Sequence, residues 1–96
     1  MSHFRPEPRR FVRQIAATPP NQAPQPEAVW KGLERYAGAG PLGVGRTQTL
    51  LAYIDRQMVE QQGPVPKRHL GRLRHVAVDY LEMLDEKMRA RSQNRR

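Results

Sequence analysis

Apolar residues recur every three or four positions through the last third of this chain. Leu70, Leu73, Ala77, Leu81, Leu84 and Met88 form one stripe, and Val76, Tyr80 and Met83 widen it. That period is helical, and a stripe of this length predicts a helix from about Lys67 to about Ala90, a quarter of the 96 residues. No alternating apolar pattern long enough for a sheet strand occurs anywhere, so the chain is expected to be all-α.

Two shorter helices fit the rest. Val29, Leu33, Tyr36 and Ala37, with Trp30 beside them, predict a helix over residues 27–37, opened by Pro26 and ended by the Gly38–Gly45 stretch. Leu50, Leu51, Ile54 and Met58 share a stripe that predicts a helix over residues 48–62, with Thr47 or Thr49 as cap and Gly63, Pro64 and Pro66 as the stop. Four prolines between Thr18 and Pro26 favour extended backbone, so residues 1–25 read as a flexible, disordered basic arm on a proline-rich linker. Residues 26–96 then form a small three-helix domain. A packed part of about 65 residues yields only a few kcal/mol from its core, which favours a partner or self-association.

Charge narrows the function classes. Seventeen Lys and Arg stand against nine Asp and Glu, and the excess is clustered. One cluster is Arg5, Arg9, Arg10 and Arg13, and another is Lys67, Arg68, Arg72 and Arg74 at the start of the long helix. Cations there face the positive end of the helix dipole, at a cost of up to ~1 kcal/mol each unless an anion lies nearby. Arginine suits phosphate and guanine edges through its two parallel donors. The expected nucleic-acid contacts are therefore Arg9, Arg10, Arg13, Arg46, Lys67, Arg68, Arg72 and Arg74, with His69 and His75 as polar neighbours and DNA favoured over RNA. Arg89, Arg91, Arg95 and Arg96 suit a helix C-terminus and read as capping and solubilising charge.

The segment Gly40-Pro-Leu-Gly-Val-Gly45-Arg46-Thr47 resembles the phosphate-binding loop of P-loop NTPases, with Arg46 where that loop has lysine. Such a loop sits between a buried strand and a helix. Here a helical segment precedes it, and the 49 residues after Thr47 cannot build a parallel sheet. The segment is expected to be a flexible interhelical loop that could bring Arg46 to a phosphate. Leu51 to Arg68 resembles the opening of winged helix-turn-helix domains: an amphipathic helix, glycine, proline and a basic helix start. The resemblance implies a DNA-binding corner, although one long helical period follows where that family has two helices and a hairpin wing.

Catalytic chemistry is not written into the chain. Ser2 and Ser92 are the only serines, His69 and His75 fall on different sides of a helix, and cysteine is absent. No enzyme activity, metal site or cofactor is expected. The longest apolar run, Leu50–Ile54, is far short of the ~20 residues of a membrane span, and the lack of cysteine fits a cytoplasmic, or for a DNA binder nucleoid-associated, protein. Fourteen arginines to three lysines fit a GC-rich genome and a bacterial, plasmid or phage accessory protein.

The wide apolar face of the last helix, basic in its first half and acidic from Asp79 to Glu86, suggests an antiparallel homodimer through Leu73, Ala77, Tyr80, Leu81, Leu84 and Met88. The leading expectation is a small non-enzymatic nucleic-acid-binding accessory or regulatory protein. The alternative is a protein-binding adaptor or inhibitor that docks a helical face and its basic arm on an acidic protein partner.

Overall fold

The computed structural model describes residues 7–15, 24–60 and 65–93, with Ser92 and Gln93 described by their backbone alone. The described residues are all-α, as the hydrophobic period predicts. Four helices follow in order: α1 (Pro8–Ile15), α2 (Pro26–Tyr36), α3 (Gly40–Glu60) and α4 (Lys67–Gln93). Helix α4 packs on both α3 and α2, and α1 packs on α2 and α3. Gly43 lies beside Leu84, whereas Asp55 pairs with Arg74. Residue numbers that rise along α3 thus meet falling numbers along α4, which makes the two an antiparallel hairpin.

The core fills the space between these helices. Val29, Leu33, Leu50, Ile54, Leu73, Ala77, Tyr80 and Leu84 are buried together with Phe11 and Val12 of α1. Trp30 packs edge-on against Tyr80, with ring centroids 5.0 Å apart. Such a contact adds roughly 0.5–1.5 kcal/mol to the burial of the rings.

Two expectations are corrected here, and a third is set beside the burial that the structure shows. The Gly40–Thr47 segment is the opening of α3 rather than a flexible loop, and α3 begins well before residue 48. The chain reverses at Gly38 and Gly40, both at positive φ (75° and 71°), where a side chain would be strained. Pro41 then sits in the first turn, which tolerates the missing donor. Gly43 is buried because its bare Cα lies against the turn: an added methyl would stand 2.6 Å from the Gly38 carbonyl oxygen. The Tyr80 hydroxyl donates to that same oxygen at 2.6 Å, tying α4 to the α2–α3 turn. Burial, reinforced by the charge of Glu34, holds the Tyr80 phenol above its usual range, so it keeps the proton it donates. Thr47 and Thr49 do not cap the helix. Each bonds back to the carbonyl four residues earlier, Gly43 at 2.7 Å and Gly45 at 3.0 Å.

The second correction concerns the arm. Residues Pro8–Ile15 form a docked helix, with Phe11 and Val12 buried. The Phe11 ring lies 5.0 Å from that of Tyr36, and the absence of a side chain at Gly32 leaves room for Ile15 and Phe11. Pro24, at the end of the expected linker, is fully buried. The rest of the expected arm and linker, residues 1–6 and 16–23, lies outside the described residues.

The third expectation concerns the surface assigned to a dimer. Leu73, Ala77, Tyr80 and Leu84 are buried within one chain, because α2 and α3 cover α4 from two sides. Of the six expected interface residues, Leu81 is half-buried and only Met88 is exposed. The width of the stripe is matched by two intramolecular neighbours.

Candidate nucleic-acid interface

Helix α4 begins after Pro66, whose carbonyl accepts the backbone N–H groups of His69 (3.0 Å) and Leu70 (3.1 Å). Its first turn holds no acidic residue. Core packing of Leu70, Leu73 and Val76 fixes the helix's rotation and turns Lys67, Arg68, Arg72, Arg74 and His75 to the exposed side. Four of the eight expected contact residues are thus brought together on the first two turns of one helix.

These four are not equivalent. The Arg74 Nε donates to Asp55 Oδ1 on α3 at 2.6 Å, with both side chains about half exposed (47% and 51%). A pair that open to water contributes about 0.2–1 kcal/mol, yet it compensates one charge of the cluster and latches α3 to α4. Arg56, the next residue on α3, is exposed. His75 lies 3.7 Å from Asp79, one turn on.

His69 is corrected: it is wholly buried, so it cannot be a polar neighbour to a nucleic acid. Neither of its ring nitrogens has a hydrogen-bond partner among the described residues. Leaving buried donors or acceptors unpaired costs about 1–3 kcal/mol, whereas an apolar side chain of similar size has nothing to satisfy. The substitution His69→Leu is therefore expected to stabilise the fold by about 1–3 kcal/mol, measured by urea unfolding. A lower unfolding midpoint would show that the imidazole is paired in solution.

The remaining expected contacts lie elsewhere on the body. Arg9, Arg10 and Arg13 are exposed on α1, where with Glu7 and Gln14 they line an open hollow of about 450 Å³. Arg46 is half-buried on α3 and acts electrostatically on Tyr36, whose phenol is raised by burial and lowered in part by that guanidinium. Tyr36 in turn touches Phe11 of α1.

The resemblance to a winged helix-turn-helix does not extend to the architecture. Helix α4 is continuous over 27 residues, and no strand occurs among the described residues. Helices α3 and α4 pair along their lengths, whereas the two helices of that motif cross at ~90–120°. The cationic surface therefore presents the side of a helix start instead of a recognition helix held across its partner. Gly71, in the second turn of α4, has no neighbour within 4 Å of an added methyl, so no other helix approaches it.

Among the described residues no group of three or more His, Cys, Asp or Glu is placed to hold a metal ion, and no helix is long and apolar enough to cross a membrane. No protein-family model, curated protein or solved structure matches this chain.

Proposed function

We propose that this chain is a small non-enzymatic protein that binds duplex DNA, acting as an accessory or regulatory factor. The observation that carries this reading is the opening of α4, where Lys67 stands exposed in a first turn with no acidic residue and Arg72 stands exposed on the next. Cations at that end of a long helix oppose its dipole, and a phosphate offsets the opposition. The exposed Arg9, Arg10 and Arg13, borne on a helix docked against the same body, support a second line of backbone contacts.

Backbone contacts release counterions, so affinity should depend steeply on salt. Five phosphate contacts give a loss of roughly 10²–10³ in affinity between 50 and 200 mM salt. Titration of a labelled duplex at those two concentrations measures it, with an RNA duplex in parallel to compare A-form with B-form geometry. Absence of binding at the lower salt overturns the proposal.

A further inference from the structure

The core-facing stripe of α4 is longer than the helices that cover it. Leu73, Ala77, Tyr80 and Leu84 are sealed by α2 and α3, and the same side of the helix continues through Lys87, Met88 and Arg91 beyond that cover. Where α3 starts, Ala39 and Gly40 face this overhang. Together with Leu84, Lys87, Met88 and Arg91 they enclose a groove of about 340 Å³. Met88 is 36% exposed, and Leu42, two residues further along α3 than Gly40, is left 69% exposed.

The groove has an apolar floor, Leu84 and Met88 with the Ala39–Gly40 backbone, and two cations on its rim. Phosphates would engage the rim and leave the floor uncovered. A partner helix carrying leucine-like side chains flanked by carboxylates uses both, since apolar anchors displace water from the floor while carboxylates meet Lys87 and Arg91. Charge complementarity points the same way, because a chain with a net charge of +8 attracts an acidic segment over any distance that salt leaves unscreened. We infer that the groove between the start of α3 and the end of α4 is a docking site for an acidic amphipathic helix of another protein. The site is separate from the opening of α4, and its failure leaves the duplex-binding proposal untouched.

The test uses the full chain, isotope-labelled, and a synthetic helical peptide with leucines on one face and glutamates along both edges. Binding should shift the amide signals of Ala39, Gly40, Met88 and Arg91. The double variant K87E/R91E should weaken binding by about tenfold or more and should instead favour the same peptide with lysines in place of glutamates. Met88→Asp, at an exposed position that leaves the core intact, should weaken both peptides. Absence of saturable binding, shifts confined to other residues, or equal binding of the two peptides by K87E/R91E each overturns the inference. So does a DNA duplex that shifts these four amides at moderate salt, which would assign the groove to phosphate.

Discussion

Replacing Gly43 by alanine is expected to lower the melting temperature by roughly 5–20 °C, although alanine is the better helix former. The added methyl would stand 2.6 Å from the Gly38 carbonyl oxygen, 3.0 Å from its carbon and 3.2 Å from Leu84 Cδ1. Two of these three neighbours are backbone, so no side-chain rotation relieves the contact. The turn itself cannot yield cheaply, because Gly38 is held at φ 75° and its carbonyl accepts the Tyr80 hydroxyl. Overpacking of this kind costs about 1–3 kcal/mol, and pushing Gly38 away adds about 1 kcal/mol for the lost hydrogen bond. Against this stands a gain of about 1 kcal/mol in helix propensity. Gly45, two residues on in the same helix, has nothing within 4 Å of its methyl position, so Gly45→Ala keeps the gain without the clash. Thermal unfolding followed by circular dichroism should move in opposite directions for the two variants. A Gly43→Ala protein that melts at or above the unmodified temperature would remove the close approach from the account of this fold.

The same glycine explains what sequence could and could not reveal. The stripe from Leu70 to Met88 was readable because each apolar residue reports its own burial, and Leu33, Leu50 and Ile54 announced their helices in the same way. The start of α3 was hidden because glycine and proline ordinarily punctuate helices. At Gly43 and Pro41 they serve packing and helix opening, which only the contact with Gly38 and the position of the first turn disclose. Helix α1 was hidden for a related reason: eight residues do not hold a helix in water by propensity, so its stability comes from Phe11 and Val12 meeting the body beside Gly32. On the charged surface, sequence located the cations but not their partners. Arg74 reads like Arg72 until Asp55 is found beside it.

Reversing charge at the opening of α4 is expected to separate binding from folding. In the double variant K67E/R72E both replaced side chains are exposed, so no core contact is lost. Glutamate in place of Lys67 suits the helix dipole, and stability should stay level or rise by about 0.3–1 kcal/mol. Duplex affinity should move the other way. Each reversal removes a counterion-releasing contact and places a carboxylate against phosphate, so the pair should weaken binding by about 10²-fold or more and flatten the log–log salt slope by about 2. Structural cations would instead leave affinity unchanged and alter only the unfolding midpoint. Measuring duplex titration and urea unfolding on the same preparation tests both signs at once. An affinity within about threefold of the unmodified chain would exclude α4 as the contact surface. The same reversal at Arg10 and Arg13, exposed on α1, would then show whether the duplex lies along that helix instead.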